Sequence, residues 1–436
     1  MAKAFNVTGA CIPEEHYMVR LDGRLREIRE LVDAGKYFSV NRARQYGKTT
    51  VLMALERYLQ NVYRVVLLDF QTFDAEKFRS GSAFAAAFAK SFLRALRRDK
   101  EEGSQAFQAA LSRLQECAQG GRGEFALMEL FEELSDICAA ADRPIVLMID
   151  EVDSVADNQV FMDFLAQLRA YYTRRSLQPT FRSVILAGVC DVKNLRRKLR
   201  PEEEHKVNSP WNIATDFKID MSFSPGDIAG MLEEYDSDYG IGMDIGRMAN
   251  LIHAYTSGYP FLVSRLCKLM DEEIGGTQGR GALENSVKKR AWTEDGFQKA
   301  VRVILSEKNT LFESLTGKLT GYPTLNGMLR ALLFTGRSIV YNADDPAMDA
   351  ATMFGFIRNQ CGVAVIANRI FETRLYNYYL SLAEMQGLEI YKASLQDRNR
   401  FIVDGHLDMR LVLESFAIHF NDLYGDRGEA FISCSI

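Results

Sequence analysis

The sequence predicts an α/β fold: a parallel β-sheet with helices on both faces, followed by a helical unit and then a region of mixed structure. Three observations predict it. Over the first two hundred or so residues, short β-rich runs alternate with longer helical patterns. Those runs are apolar throughout, as strands covered on both faces are. From Ser224 onward the strand signal disappears and helical periodicity takes over.

The strand candidates are Tyr37–Val40, Tyr63–Phe70, Pro144–Ile149, Ser183–Val189 and Phe217–Phe223. Between them Leu25–Ala34, Thr49–Leu59, Glu76–Arg97, Gln105–Ala118, Phe125–Ala140 and Phe161–Tyr172 read as helices. Val51, Leu52, Leu55 and Leu59 share one helical face, so the helix after Lys48 can pack back on the sheet. Ser224-Pro225-Gly226-Asp227 reads as a helix start, and the helical unit it opens runs to about Ile274. The glycine-rich stretch Gly275–Gly281 reads as a linker or loop. Beyond it come helices carrying Leu311, Phe312 and Leu315, then Leu325, Leu329, Leu332 and Leu333. A strand at Ser338–Tyr341, a turn at Asp344-Asp345-Pro346, a helix through Met353–Ile357 and a strand at Val363–Ala367 follow. Helices followed by a small hairpin predict a winged-helix arrangement. The expected division is a core over 1–223, a helical lid over 224–285, a winged-helix-like domain over 286–385, and a C-terminal segment over 386–436, helical at Leu411–Leu423.

Composition narrows the function classes. With 47% apolar and 25% charged residues, the chain is ordinary for a soluble protein, and no run approaches the ~20 apolar residues of a membrane span. No membrane partner is expected, and the start, Met1-Ala2-Lys3-Ala4-Phe5-Asn6, lacks a secretory apolar core, so the expected compartment is cytoplasmic. The seven cysteines form no CxxC pair and the five histidines show no metal-ligand spacing, which points away from a zinc site or a disulfide framework. A net charge of −5 argues against wholesale coating of nucleic acid, while leaving room for a local basic face.

The chemistry is concentrated in two motifs. Gly47-Lys48-Thr49-Thr50 follows the first apolar strand and opens a helix, the arrangement of the phosphate grip in P-loop NTPases. Backbone N–H groups at the helix start, from Tyr46 and Gly47 to Thr50, would cradle the phosphates. Lys48 would reach the β- and γ-phosphates, and Thr49 would ligate Mg²⁺. The pattern asks for glycine at position 42, where the chain has Arg42. The second motif is the apolar strand Pro144–Ile149 ending in Asp150-Glu151. Asp150 there can hold Mg²⁺, while Glu151 orients and deprotonates the attacking water. Either motif alone recurs by chance; together, about a hundred residues apart with strands between, they point to one nucleotide site with Mg²⁺.

Other residues carry two readings each. Asp191 or Asn194, after the fourth strand, can sense the γ-phosphate or form a turn, and Asp69 is a strand-end carboxylate of the same ambiguity. Gly258-Tyr259-Pro260 can set Tyr259 and Pro260 against an adenine ring with Arg265 sensing phosphate, or can be a plain helix start. Arg42 and Arg44 can lend positive charge to the phosphate loop or form salt bridges away from the nucleotide. The basic run from Lys193 to Arg200, followed by Glu202-Glu203-Glu204, reads first as a solvated loop and second as a source of an arginine finger.

The runs Arg42–Thr49, Leu147–Glu151, Val207–Ala214 and Gly258-Tyr259-Pro260 resemble the bacterial AAA-like ATPases over about residues 5–280. In that family loss of the first P-loop glycine is common. The resemblance implies ATP binding and hydrolysis, a helical lid, and a winged-helix-like domain, with Lys48, Thr49 and Asp150 on phosphate and magnesium and Glu151 as the catalytic carboxylate. Members often continue into a nuclease-like domain. The segment after Met385 is too short for one and shows no strand carrying Asp followed by Glu-x-Lys, so either the chain is truncated or this member lacks it. The expected function is an ATP-hydrolysing switch or motor subunit acting on an unidentified protein or DNA, with a homo-oligomer in view. The alternative is a nucleotide-gated binding module with negligible hydrolysis. A small-molecule kinase is a weaker third reading, since the lid lacks an arginine-rich acceptor site.

Overall fold

The computed structural model describes residues 3–98, 103–120, 125–155, 158–189, 211–275, 282–334, 338–382, 402–403 and 406–407. The chain forms two compact units, Met1–Phe371 and Glu372–Ile436.

Four strands make the sheet of the first unit: β1 (Phe38–Asn41), β2 (Arg64–Asp69), β3 (Ile145–Asp150) and β4 (Ser183–Gly188). They are parallel throughout and run in the order β1-β4-β3-β2. The two central strands are buried at every residue, and β2, at the edge, is buried at alternate ones. Side-chain alternation splits the strands between two apolar layers. Ile145, Leu147 and Ile149 join α3 (Gly81–Leu96), α4 (Gln105–Ala118), α5 (Leu127–Ala140) and α6 (Gln159–Thr173) on one face. Val146 and Met148 join α1 (Asp22–Asp33) and α2 (Lys48–Leu59) on the other, where Val51, Leu52, Leu55 and Leu59 form the expected buried stripe.

Two expectations in the core are corrected. Phe217–Phe223 is not a fifth strand; the backbone pairing nearby is a single parallel bridge from Thr215, two residues before it, to Phe38. Its side chains pack as a strand's would, with Phe217 stacked on Phe38 at 5.8 Å. Its carbonyls, however, are taken by arginine side chains: Arg42 donates to Ile219 O at 2.7 Å, and Arg24 donates to Asp220 O at 3.0 Å and Ser222 O at 2.6 Å. Backbone acceptors satisfied in this way need no ladder. The helix expected over Glu76–Arg97 is also broken. Ser80 caps α3 by accepting the Ala83 N–H, and Ala75–Phe78 is a separate 3₁₀ turn capped by Asp74.

The helix start expected at Ser224-Pro225-Gly226-Asp227 is present. Ser224 and Asp227 form a reciprocal capping box at the head of α7 (Pro225–Tyr239), with Pro225 in the first turn. Then α8 (Ile245–Thr256) ends at Ser257 and Gly258, both with positive φ, and α9 (Pro260–Lys268) runs into a π-helical turn at Leu269–Ile274. A Cβ on Gly258 would stand 2.1 Å from the carbonyl oxygen of Phe223, so only glycine admits this crossing. The boundary expected after residue 285 falls inside α10 (Ala282–Ala291). Lys288 of that helix donates to Asp271 in the π turn at 2.7 Å, and α11 (Glu294–Ser306) also packs on that turn. Most of the expected linker, 276–281, lies outside the described residues.

After α12 (Thr310–Gly321) and α13 (Pro323–Phe334) come β5 (Ile339–Val340), α14 (Pro346–Met353), β6 (Ile357–Gln360) and β7 (Val363–Ile366). The strands form an antiparallel sheet in the order β5-β7-β6. The helix expected through Met353–Ile357 ends at Met353 instead. Gly355 takes a φ of 78°, the left-handed exit a helix uses, and Ile357 starts a strand. Asn368 then caps α15 (Arg369–Ser381), accepting from Phe371 N at 2.8 Å. In the second unit, Ile402–Val403 and His406–Leu407 pair antiparallel as β8 and β9, so the segment expected to be helical contains a short hairpin. The helix expected at Leu411–Leu423 lies outside the described residues.

Candidate nucleotide site

The site is assembled where β1 and β3 end on the same side of the sheet. Gly47, with a φ of 78°, is the left-handed residue that turns the loop after β1 into the first turn of α2. From there Lys48 is directed back under its own loop. It is 7% exposed, and its Nζ donates to the carbonyls of Arg42 at 3.0 Å and Ala43 at 3.1 Å. Burial pulls the ammonium below the ordinary lysine range, while Asp153, Glu151 and Asp150, in that order, oppose the shift.

One residue on, the Thr49 hydroxyl donates to Asp150 Oδ2 at 2.6 Å. Asp150 is 4% exposed and its other oxygen accepts the Glu151 N–H at 2.9 Å. Burial pushes the Asp150 carboxyl above the usual carboxylate range, with the Thr49 and Glu151 bonds acting against it. Glu151 is raised too, by burial first and the charge of Asp150 second. Asp69 ends β2 directly opposite Asp150 in the strand register and adds to both shifts. The P-loop motif and the strand-end carboxylates thus meet in space.

A cavity of about 360 Å³ adjoins the start of α2. Its walls include Asn6, Cys11, Tyr46, Thr50, Phe223 and Pro260, so the segment before α1, the loop before α2 and the start of α9 all contribute. Thr50 is fixed there by accepting the Cys11 N–H at 3.0 Å. Tyr46 packs edge-on against Tyr259, ring centroids 4.7 Å apart.

Three residues singled out in the sequence stand differently. Tyr259 does not line this cavity; it is buried beneath the phosphate loop, and its hydroxyl donates to the carbonyl of Arg44. Arg265 is engaged within the helical part of the chain, donating to Glu307 at 2.6 Å and Glu273 at 3.1 Å. Arg42 uses its guanidinium on the carbonyls of Asn41 and Ile219 and over the Phe217 ring, whereas Arg44 is exposed. Asp191 and Asn194, with the basic run after them, lie outside the described residues. Asp153 is the residue that motif matching passes over, although Asp-Glu-Val-Asp carries a third carboxylate in plain view.

The donor set suits a hard cation held jointly with phosphate. A hydroxyl and one carboxylate stand side by side, and Mg²⁺ takes few protein ligands, filling its octahedron with water and phosphate oxygens. Among the described residues no group of three or more His, Cys, Asp or Glu side chains is placed to hold a metal ion.

The model of a family described as the AAA-like domain matches residues 11–316. The chain belongs to the AAA-like domain family. The match runs past the expected end at about 280 into α12. Among solved structures, a Walker-type ATPase of Pyrococcus abyssi is similar with a TM-score of 0.54 at 13% identity, over 85% of this chain and 99% of that one. The ORC2 protein of Aeropyrum pernix, solved as ADPNP and ADP complexes, aligns at 13% identity with a TM-score of 0.40, over 86% and 98% of the two chains. The RuvB Holliday junction branch migration motor of Thermotoga maritima aligns at 12% identity with a TM-score of 0.39, over 80% and 92%. No curated protein matches the sequence. The fold of this AAA-like protein is that of the Walker-type ATPases, and among the described residues no helix is long and apolar enough to cross a membrane.

Proposed function

We propose that this AAA-like protein binds ATP with Mg²⁺ and hydrolyses it, as a switch or motor subunit whose output is movement of the lid and of the region after it. One observation carries the proposal: Thr49 and Asp150, distant in sequence, share a 2.6 Å hydrogen bond one residue from a buried lysine that is folded under a left-handed glycine turn. A buried ammonium on two backbone carbonyls can exchange those bonds for the β- and γ-phosphate oxygens, a stronger, charge-assisted pairing. Thr49 and Asp150 would hold Mg²⁺, which when bound neutralises charge building on the transferred phosphoryl group. Glu151 orients the attacking water and accepts its proton, and its raised pKa makes it a better base than an exposed glutamate. The cavity beside Thr50 and Pro260 receives the base, with Tyr46 at its loop side.

The region from Thr310 to Ile366, helices followed by a three-stranded antiparallel sheet, supports a winged-helix-like role in contacting a protein or DNA partner. Asp344, Asp345 and Asp349 weigh against phosphate contact on that stretch.

The test is the steady-state ATPase rate of wild type and Glu151→Gln, with and without DNA, alongside nucleotide binding. Turnover in wild type that disappears in Glu151→Gln while ATP stays bound is expected. Bound ATP with no turnover in wild type under any condition would instead support the nucleotide-gated binding module.

A further inference from the structure

The turn that follows Glu151 is tied to the neighbouring strand by a residue that neither motif requires. Asp153 Oδ2 accepts the backbone N–H of Val189, the first residue after β4. From the other side, the turn lies close against the end of β4. A Cβ on Gly188 would stand 2.9 Å from Val152 Cγ2 and 3.0 Å from Asp153 Oδ1, so the turn is pressed against a glycine. Between these contacts and β3, Glu151 has a φ of 55°. A left-handed backbone is unfavourable for a non-glycine residue and persists only where its surroundings over-determine it.

The surroundings here can be named. The Glu151 N–H donates to Asp150, its carbonyl accepts from Ser154 N at 3.2 Å and Ser154 Oγ at 2.8 Å, and two residues later Asp153 anchors the turn across to β4. Three of these contacts lie within Asp150–Ser154; the Asp153 bond alone of them reaches the end of another strand. It therefore decides where the Val152–Val155 turn sits relative to the sheet, and with it where the Glu151 side chain starts from.

We infer that Asp153 is a positioning residue: by pinning the turn to the end of β4 it holds Glu151 in the left-handed conformation that sets the direction of its carboxylate. The inference rests on the hydrolytic reading above, since it assigns Asp153 to the aim of the proposed base. A purely structural aspartate, capping a strand end, would instead move stability and nucleotide affinity without separating binding from turnover.

The experiment uses the full chain and measures kcat and KM for Mg-ATP, with the dissociation constant of a fluorescent ATP analogue. Asp153→Ala should lower kcat by about tenfold or more while the dissociation constant stays within about threefold, the signature of an interaction needed for turnover and not for binding. Asp153→Asn, which keeps a carbonyl oxygen for the Val189 N–H and discards the charge, should restore kcat to within about threefold of wild type. Gly188→Ala attacks the same contact from the strand side and should reproduce the Asp153→Ala loss; it decides the question alone if Asp153→Ala does not fold. Turnover in wild type with kcat undiminished in either Asp153→Ala or Gly188→Ala overturns the inference by itself. Equal loss in Asp153→Asn and Asp153→Ala also overturns it, because charge and not anchoring would then be at work. Absence of turnover in wild type overturns the hydrolytic reading and takes this inference with it.

Discussion

Replacing Thr49 by valine removes one hydroxyl and nearly nothing else, and two separate consequences can be worked out for it. The hydroxyl donates to Asp150 Oδ2 at 2.6 Å, and Asp150 is 4% exposed. A hydrogen bond to a charged group contributes about 1.5–3 kcal/mol. Asp150 keeps its bond from the Glu151 N–H, and Thr49 itself is exposed, so the lower end applies: a loss of about 1.5 kcal/mol, or roughly 2 °C in Tm for a chain of this size. The pH dependence has a definite sign. The Asp150 carboxyl is already above its ordinary value because of burial, and the Thr49 bond works to lower it, so the variant raises it further. A raised acid penalises the folded state only while ionised, so the deficit is full at neutral and alkaline pH and shrinks as pH falls through the folded pKa. The second consequence concerns the metal. If Thr49 and Asp150 together hold Mg²⁺, the variant should lose most of the tightening that Mg²⁺ gives to ATP binding, on the order of tenfold. The assay is thermal melting without nucleotide across that pH range, and titration of a fluorescent ATP analogue with and without Mg²⁺. An unchanged Tm at neutral pH would refute the hydrogen bond, and an unchanged Mg²⁺ dependence would refute Thr49 as a ligand.

Lys48→Ala should weaken ATP binding by about 3 kcal/mol, on the order of a hundredfold, because a buried cation is removed from the phosphates; calorimetric titration measures it. Since burial and Asp150 raise Glu151 above its ordinary value of 4.5, the acid limb of kcat should lie above that value, and Glu151→Gln should abolish it along with turnover, as a pH–rate profile at saturating Mg-ATP would record. Arg265→Ala breaks the contacts to Glu307 and Glu273; because the guanidinium is partly exposed, the expected loss is about 1–2 kcal/mol of stability, with ATP affinity unchanged in the same titration. Gly258→Ala meets the Phe223 carbonyl at 2.1 Å and a φ of 72°, so it should destabilise by about 3 kcal/mol or more, seen as a lowered Tm and protease sensitivity at the start of the lid.

What the sequence disclosed were features written locally. Apolar runs marked all four strands because central parallel strands are covered on both faces, and Ser224 with Asp227 spelled out its own capping box. Asp150-Glu151 and Gly47-Lys48-Thr49 were each visible, although only the fold brings Thr49 within 2.6 Å of Asp150. What stayed hidden depended on partners far along the chain. Phe217–Phe223 has strand-like side chains, yet guanidinium groups from Arg24 and Arg42 occupy the carbonyls that a ladder would need. Arg265 looks available for phosphate until Glu307, 42 residues away, claims it. Tyr259 was a natural stacking partner by sequence, but its hydroxyl is spent on Arg44 beneath the loop. Asp153 was legible as a carboxylate but not as an anchor, because its acceptor role depends on a backbone N–H on another strand.

The arginine at position 42 shows how a motif consensus can mislead an engineer. A designer restoring the usual first glycine there would complete the written pattern and cut a strut: the guanidinium spans from the phosphate loop to the carbonyl of Ile219, five residues ahead of the first lid helix's cap. With Arg24 gripping Asp220, Ser222 and Asp227, the segment leading into the lid is pegged at both ends to the domain that would hold the nucleotide. If bound nucleotide displaces the loop, the Arg42 contact to Ile219 would carry that displacement toward the helical unit that starts at Ser224, and Arg42→Gly would remove the connection.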